Sequence, residues 1–332
     1  MPSPSTELAL SWARAALAHF PLREPAVRFL GHSDNLTFRV EELGGSVYLL
    51  RLHRPVLDYW TGIRQQPEAI DSELTWLEAL AWEGSFTVQQ PIHTSSGALV
   101  ALVDTGEPEP HPATLLTWLE GAHFSPSAGD GPELVERFGQ LVARLHHFSE
   151  RWTPPVEMIR PRYDYAHFKQ TFARLLRGVD LGVFPEEVYW TLRAACQLVL
   201  NIVSELPDDP EHWGMIHADL HMGNFLVCGE QIIPIDFSFS GFGYYLYDLS
   251  VCLSGGLNAA LRPAFLRGYR SVRPLPPEDA RAVDAFVLAG RLSYYAYQID
   301  NPTERSWLER RIREAAQNEC SRFLQGQSLL DT

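Results

Sequence analysis

The chain has 332 residues, of which 45% are hydrophobic and 20% are charged, a balance typical of a globular protein with a sizeable core. Lysine and arginine total 27 against 41 aspartate and glutamate residues, which gives a formal net charge of −14. This acidity argues against a nucleic-acid-binding protein, because such proteins neutralise phosphates with a basic surface. It is compatible with a cationic small-molecule substrate.

Cysteine spacing and hydropathy argue against several further classes. The four cysteines lie far apart without a CxxC pair, which indicates reduced thiols rather than a zinc framework. The N-terminal segment lacks the charged region and unbroken apolar stretch of a signal peptide. No apolar window approaches the ~20 residues that a membrane span needs. We therefore expect a soluble, cytoplasmic protein that binds no membrane, and the sequence does not indicate its oligomeric state.

The first part of the chain combines strand patterns with two helices. Residues 5–19 predict an amphipathic helix that ends at Pro21, and residues 67–82 predict a second helix. Short apolar runs bounded by turn residues predict strands at 27–31, 36–41, 47–52, 87–92, 98–104 and 113–119. We expect a five-stranded antiparallel sheet with one inserted helix.

After Gly121 the patterns become helical. They cover residues 132–149, 163–177, 185–206, 245–253, 259–272, 277–299 and 303–324. The expected fold class is therefore α+β, in two lobes. A small β-rich lobe spans residues 1–117, a linker spans 118–121, and a large, mainly helical lobe spans 122–332.

One non-helical segment, IHADLHMGNFLVCGEQIIPID at residues 216–236, interrupts the helical part. Residues 225–228 and 232–235 are short apolar runs joined by turn residues, which predicts a β-hairpin. Antiparallel pairing about that turn matches 228 with 232 and, by the same count, Asn224 with Asp236. Directly opposed residues have Cβ atoms roughly 5 Å apart. An amide oxygen and a carboxylate at that separation suit a hard cation such as Mg²⁺.

The same segment predicts phosphoryl transfer. This chemistry needs metal neutralisation of phosphate charge and a carboxylate that orients the attacking hydroxyl. Asp219, one loop before Asn224, is the candidate catalytic base, and His217 is expected to brace the loop by hydrogen bonding. The alternative is an ordinary surface hairpin, since Asp and Asn are common at turns. Four polar residues of fitting types within one short window argue against that alternative.

Two motifs carry a resemblance to a known family. IHADLHMGNFLV is similar to the catalytic loop HxDxxxxN of the aminoglycoside phosphotransferase-like enzymes, and IPIDFSFSGFGYYLYDLS is similar to their metal-binding strand and following helix. VYLLRLHRP, SELTWLEAL and LLTWLEG add weaker support, and the similarity spans residues 30–260 or so. This family shares the bilobal protein kinase-like fold, and its relatives include choline and homoserine kinases and bacterial stress-response Ser/Thr kinases.

The resemblance implies a role for each matching residue, with ATP and Mg²⁺ as cofactors. Asp219 would be the catalytic base, and Asn224 and Asp236 the metal ligands. Arg51 would contact the nucleotide phosphates and pair with Glu73. Further implied positions are the phosphate loop at Ser33, Asp34 and Asn35, and the adenine-binding backbone at Thr117, Trp118 and Leu119. Asp248 would support the catalytic loop.

Three departures from the family pattern stand out. Arg51 replaces the more usual lysine, and its planar fork differs in geometry from an ammonium group. The first loop, GHSDNLTF, contains one glycine and so is no glycine-rich cradle. Ser238 stands where relatives often carry a second acidic residue, which leaves one partner of the metal site unassigned.

The expected activity is ATP-dependent transfer of the γ-phosphate to a hydroxyl of a small molecule, and the acidic composition favours a cationic one such as an amino alcohol, an amino acid or an aminoglycoside. A Ser/Thr protein kinase of the stress-response type is the nearest alternative. A nucleotide-binding pseudokinase regulator is an alternative of another class. The HxDxH string ending at His221 could instead form a zinc site, although no second ligand cluster appears. Tyr244, Tyr245 and Tyr247 could form an aromatic cage for a cation, but helical spacing favours core packing.

Overall fold

The computed structural model describes residues 4–33, 35–55, 62–124 and 131–330. The chain divides into two compact units. The first contains Met1–Ala122, Pro154–Pro161 and Ile233–Ser238, and the second contains His123–Thr153, Arg162–Ile232 and Phe239–Thr332. No helix within the described ranges combines the length and the apolar character that crossing a membrane requires.

The first unit is built on one antiparallel sheet. Its strands are β1 (Ala26–His32), β2 (Leu36–Glu41), β3 (Val47–Leu52), β4 (Pro91–Ile92), β5 (Ala101–Val103) and β6 (His111–Thr117). The order is β1-β2-β3-β6-β4, and β5 also pairs with β6. β4 lies opposite Leu115 and Leu116, whereas β5 lies opposite residues 111–113. The six described strands thus occupy five positions, because β4 and β5 share one edge of β6.

Two helices belong to the first unit. In α1 (Thr6–Leu17) the Ser5 side chain accepts a hydrogen bond from the Leu8 N–H, so Ser5 is the N-cap. The apolar face of α1 packs into the same core cluster as the sheet, and the Trp12 indole donates to the Thr105 carbonyl at 2.9 Å. Helix α2 (Pro67–Glu83) ends at Gly84, whose φ of 80° suits a left-handed C-cap.

The second unit is mainly helical. Its helices are α3 (Gly131–Arg151), α4 (Tyr165–Leu176), α5 (Glu186–Glu205), α6 (Tyr245–Ser254), α7 (Arg262–Arg270), α8 (Ala280–Gln298), α9 (Arg305–Ala315) and α10 (Ser321–Leu324). A π-helical turn at Ala316–Cys320 joins α9 to α10. The later strands are β7 (Ala122–His123), β8 (Arg162–Tyr163), β9 (Trp213–Ile216), β10 (Phe225–Cys228), β11 (Gln231–Pro234) and β12 (Gly241–Tyr244). Strands β8, β12 and β9 form one small sheet, and β10 and β11 are neighbours in another.

The expected α+β class is confirmed, and most helices lie where periodicity placed them. The sequence did not predict β8, β9 and β12. In β12 the pattern is GFGY, in which two glycines weaken the strand signal of Phe242 and Tyr244. A Cβ at Gly243 would overlap the Ile216 side chain on β9, so close strand approach selects glycine there.

Helices α3 and α7 approach each other through glycine. A Cβ added to Gly139 on α3 would overlap the backbone carbonyl of Phe265, and one added to Gly268 on α7 would overlap the carbonyl of Glu136. Backbone atoms cannot move aside as a flexible side chain can. The two helices therefore pack at a distance that no larger residue permits.

We predict that Gly139→Ala or Gly268→Ala lowers the free energy of unfolding by about 2–3 kcal/mol, because overpacking forces the two helices apart. Gly290 on α8 is the matched control, since no atom lies within 4 Å of its added Cβ. Gly290→Ala should stabilise the protein by about 0.5–1 kcal/mol. Urea unfolding measures all three, and equal effects at the three positions would contradict the packing assignment.

Candidate active site

A buried carboxylate holds the loop that leads to Asp219. Asp248 on α6 is 1% exposed, and it accepts hydrogen bonds from two successive N–H groups, His217 at 3.0 Å and Ala218 at 2.7 Å. Ala218 has a φ of 64°, a left-handed conformation that is uncommon for residues with a Cβ. Two charge-assisted hydrogen bonds offset its cost. The expectation that Asp248 supports this loop is confirmed.

Asp248 is oriented in turn by a neutral histidine. His146 Nε2 lies 3.2 Å from Asp248 Oδ2, and His146 Nδ1 lies 2.9 Å from the Tyr269 hydroxyl. Burial lowers the pKa of His146, so Nε2 donates to Asp248 while Nδ1 accepts from Tyr269. Burial favours a raised pKa for Asp248, but the bonds from His146 and from the His217 backbone hold it below the usual value. The carboxylate therefore stays ionised in the core.

Asn224 is bound to Asp219 through its amide nitrogen. Nδ2 donates to the Asp219 carbonyl at 2.9 Å and to the Asp219 carboxylate at 2.8 Å. This orientation directs Oδ1 of Asn224 away from Asp219, as a cation ligand requires. His221 lies farther from the carboxylate, with Nε2 3.8 Å from Oδ2. The Asp219 side chain is 31% exposed, so solvent and ligands can reach it.

The predicted hairpin is present as β10 and β11. Strand β10 has the predicted bounds, but β11 begins at Gln231, one residue earlier than predicted, so the turn consists of Gly229 and Glu230. The pairing of Asn224 with Asp236 was predicted by counting outward from a three-residue turn, and the observed turn is one residue shorter. That Asn224 and Asp236 lie directly opposite each other therefore stays a prediction.

Asp236 lies in the first unit, with an exposed side chain and a φ of 61°. Left-handed, non-glycine residues are strained and concentrate at functional sites. The Ser238 hydroxyl donates to Asp236 Oδ1 at 2.7 Å. The serine that replaces the family's second acidic residue thus orients the carboxylate of Asp236 instead of adding another charge.

Arg51 and Glu73 form the expected ion pair. Arg51 Nη2 lies 2.8 Å from Glu73 Oε1, and both side chains are buried, with 6% and 2% exposed. Arg51 Nε also donates to the Thr114 hydroxyl at 3.3 Å. The alternation of β3 alone could equally have placed Arg51 on the surface. Its burial makes it part of an internal charge cluster.

Sequence reasoning missed two further members of this cluster. His53 Nε2 lies 3.1 Å from the same Thr114 hydroxyl, and Arg160 Nη1 lies 3.8 Å from Glu73 Oε2. Burial, and then the charges of Arg51 and Arg160, lower the pKa of His53 well below its usual value. No motif or periodicity marks Arg160, which lies in an irregular stretch between α3 and β8.

The remaining candidate nucleotide contacts lie in the first unit. Ser33 is exposed, its N–H donates to the Asn35 carbonyl, and the Asn35 side chain is buried. Asp34 lies outside the described residues. At the linker, the Thr117 and Trp118 N–H groups donate to the carbonyls of Gln90 and Val47. These two N–H groups are therefore already bonded within the protein, and adenine binding at Thr117, Trp118 and Leu119 stays a prediction.

Two alternative sites find no support. Tyr244, Tyr245 and Tyr247 are at most 8% exposed and belong to the core of the second unit, so they pack as their helical spacing indicated. No group of three or more His, Cys, Asp or Glu side chains in the described part of the chain could hold a metal. A hard cation at Asn224 and Asp236 stays a prediction, based on the oxygen atoms of their side chains.

Comparison with known proteins identifies the family. The model of the phosphotransferase enzyme family matches residues 26–286. The chain belongs to this family. The resemblance carried by the two motifs is thereby confirmed, and this family member is an ATP-binding phosphotransferase whose acceptor is an alcohol group.

Individual relatives include small-molecule kinases. A homoserine kinase of Neisseria meningitidis is 30% identical over 199 residues. This match covers 57% of the present chain and 59% of that kinase, which is less than two thirds of its length. The structure of a microcompartment-associated aminopropanol kinase has a TM-score of 0.77 and 27% identity, covering 96% of this chain and 98% of that one. An amicoumacin kinase structure has a TM-score of 0.76 at 19% identity, covering 95% and 94%, and shows the fold.

We predict that Asp248→Asn slows turnover, because an amide accepts through one oxygen and presents N–H groups to the backbone donors of His217 and Ala218. The loss of hydrogen bonds to a charged group should also cost about 1.5–3 kcal/mol of stability. Asp284→Asn is the matched control, because buried Asp284 binds the Leu329 N–H at 2.8 Å in the same unit. Urea unfolding should show similar destabilisation in the two variants, whereas steady-state kinetics should show an unchanged kcat in Asp284→Asn. Equal losses of kcat in the two variants would contradict the assignment.

We also predict that the protein loses stability as the pH falls below about 6.5, the pKa of an unperturbed histidine. Below this pH His53 is protonated in the unfolded chain but stays neutral in the folded protein. The free energy of unfolding therefore decreases by up to about 1.4 kcal/mol per pH unit because of this residue. Urea unfolding at pH 7.5 and 5.5 should show a smaller decrease in His53→Gln. His93→Gln is the control, because the backbone and Glu78 raise the pKa of His93. An undiminished acid loss in His53→Gln would refute this prediction.

Proposed function

We propose that the chain transfers the γ-phosphate of ATP to a hydroxyl of a small, cationic molecule, with Asp219 as catalytic base. The observation that carries this proposal is the loop held by Asp248, which presents Asp219 beside the Asn224 amide. A carboxylate so placed can orient an acceptor hydroxyl and take its proton. His217 contributes its backbone N–H to the same support.

Mg²⁺ would be held by Asn224 Oδ1 and Asp236. Support for the first ligand is the amide orientation set by Asp219, and support for the second is the exposed carboxylate oriented by Ser238. When bound, the ion neutralises charge on the transferring phosphate. The related amicoumacin kinase structure contains AMP-PNP and Ca²⁺, which favours a divalent cation at this step.

The nucleotide would be bound by residues of the first unit. Arg51 and Arg160 share one carboxylate, Glu73, so these three buried side chains carry one net positive charge. That excess suits the phosphates, with Arg51 as the contact residue. Ser33 and Asn35 are the candidates in the phosphate loop. At Thr117–Leu119 we assign the adenine contact to the Leu119 N–H.

A small acceptor is favoured over a protein. Only Phe237–Tyr244 separate Asp236 from α6, and they form a short 3₁₀ turn and strand β12. This leaves no room for the long activation segment of a protein kinase. The net charge of −14 favours a cationic acceptor. The names of two relatives, homoserine kinase and aminopropanol kinase, point to acceptors that carry both an amine and a hydroxyl.

We predict that Asp219→Asn lowers kcat by about 10²–10⁴-fold, because general-base assistance has that magnitude. The measurement is transfer from radiolabelled ATP to a panel of amino alcohols, amino acids, sugars, aminoglycosides and a generic protein. Asp164→Asn is the matched control, since Asp164 is also 31% exposed and asparagine retains its N-cap on α4. Wild-type protein that binds ATP but modifies nothing on the panel would favour a pseudokinase regulator. Label on the generic protein alone would favour the protein kinase.

A further inference from the structure

Arg160 belongs to the first unit, although the residues on both sides of Pro154–Pro161 belong to the second. Its side chain is fully buried, with 0% exposed. Placing a guanidinium group in a core is costly unless hydrogen bonds and opposite charge compensate. The groups that surround Arg160 therefore indicate what its burial maintains.

The guanidinium group bridges helix α2 and the segment after Asp236. Nη1 donates to the Ala69 carbonyl at 2.9 Å, and Nη2 donates to the Ser238 carbonyl at 2.8 Å and to the Phe237 carbonyl at 3.4 Å. Ala69 lies one helical turn before Glu73, whose Oε2 is 3.8 Å from Nη1. One planar group thus fixes two backbone segments relative to each other.

Because Arg160 binds backbone carbonyls, its hydrogen bonds constrain the path of the backbone after Asp236. Asp236 has a left-handed φ of 61°, and the two carbonyls that follow it in sequence are those bound by Arg160. A strained residue keeps its conformation only when the surroundings over-determine it. The Phe237 ring also lies edge-on to Trp76 of α2, with ring centroids 5.4 Å apart. The segment is therefore held at its backbone by Arg160 and at its ring by α2.

We propose that Arg160 is a positioning residue for the metal site, which holds Asp236 in its left-handed conformation and couples it to Glu73 on α2. This inference rests on the proposed function, in which Asp236 is a metal ligand and Arg51 with Glu73 binds the phosphates. We assign Arg160 no contact of its own with metal or substrate. Its planar fork reaches carbonyls on both segments at once, which the single ammonium group of a lysine cannot do.

Arg54 provides the matched control for a buried arginine in the same unit. It is 4% exposed, and its guanidinium group binds Glu107 through Nε and Nη2, with Nη2 2.9 Å from Oε1. It also lies over the Trp12 ring at 5.5 Å. These contacts connect the residues after β3 to the loop before β6 and to α1. An effect that follows from loss of any buried arginine should therefore appear in both variants.

The test compares wild type, Arg160→Lys, Arg160→Gln and Arg54→Lys. Electron paramagnetic resonance measures the dissociation constant of Mn²⁺ with saturating AMP-PNP, and equilibrium dialysis measures AMP-PNP binding in EDTA. We expect Arg160→Lys and Arg160→Gln to raise the Mn²⁺ dissociation constant by about 10–100-fold, the usual effect of removing support from a metal ligand. In the two Arg160 variants, the dissociation constant of AMP-PNP without metal should change less than that of Mn²⁺. Arg54→Lys should keep the wild-type affinity for Mn²⁺, although urea unfolds it more easily.

Each outcome distinguishes this inference from the function on which it rests. Wild-type Mn²⁺ affinity in a folded Arg160→Lys variant overturns the positioning role alone. Equal losses of Mn²⁺ affinity in Arg54→Lys and Arg160→Lys also overturn it, since both would then reflect general loosening. If wild type binds no Mn²⁺ with AMP-PNP, the proposed metal site fails, and this inference fails with it. Arg160→Lys keeps the charge and stem, so it decides the question if Arg160→Gln does not fold.

Discussion

The ionised carboxylate of Asp248 is the constraint on which the candidate catalytic loop depends. It accepts hydrogen bonds from two successive backbone N–H groups. These bonds stabilise the left-handed conformation of Ala218, immediately before Asp219. The neutral His146 and the Tyr269 hydroxyl behind it fix its orientation. Rigid support of this kind lets a partly exposed carboxylate keep one position relative to a reacting group. The side-chain amide of Asn224 donates a hydrogen bond to the Asp219 carboxylate, so the candidate base and the candidate metal ligand are oriented together.

The candidate nucleotide site in the first unit depends on a different feature, a buried cluster in which positive groups outnumber negative ones. Arg51 and Arg160 share Glu73, and burial, followed by the charges of the two arginines, lowers the pKa of His53. Replacement of a lysine by Arg51 changes the local geometry, because Nη2 pairs with Glu73 while Nε reaches Thr114. Two guanidinium groups beside one carboxylate give this cluster an excess of positive charge. An anion such as a nucleotide phosphate complements that charge.

Parts of this arrangement were predictable because local sequence carries them. The helices follow apolar periodicity, and strand β10 follows an apolar run that stops at a glycine turn. The ion pair of Arg51 and Glu73 was predicted only through the family resemblance. Arg160 could not be found in this way, because its partners are the carbonyls of Ala69, Phe237 and Ser238, and backbone acceptors leave no trace in the amino-acid pattern.

Strand β4 shows the same limit within the sheet. The sequence predicted a strand at 87–92, but only Pro91 and Ile92 form ladder pairs with β6. Just before them, the Thr117 N–H still donates to the Gln90 carbonyl, but the Gln90 N–H donates to the Thr117 hydroxyl instead of to a backbone carbonyl. In the hairpin, the turn is one residue shorter than predicted, which is why strand bounds alone do not establish the Asn224–Asp236 pairing.

Glycine-rich β12 escaped prediction because close packing, rather than strand propensity, selects its residues.

A crystal structure of the protein with AMP-PNP and Mn²⁺, with the ion located by anomalous scattering, tests the central claim most directly. The account predicts one ion bonded to Asn224 Oδ1 and to the Asp236 carboxylate, at about the 2.0–2.1 Å separation typical of Mg²⁺ sites. Asp219 should lie outside the coordination sphere, with its carboxylate still bonded to the Asn224 amide. An ion bound by neither Asn224 nor Asp236, or an ion ligated by Asp219 itself, would contradict the account.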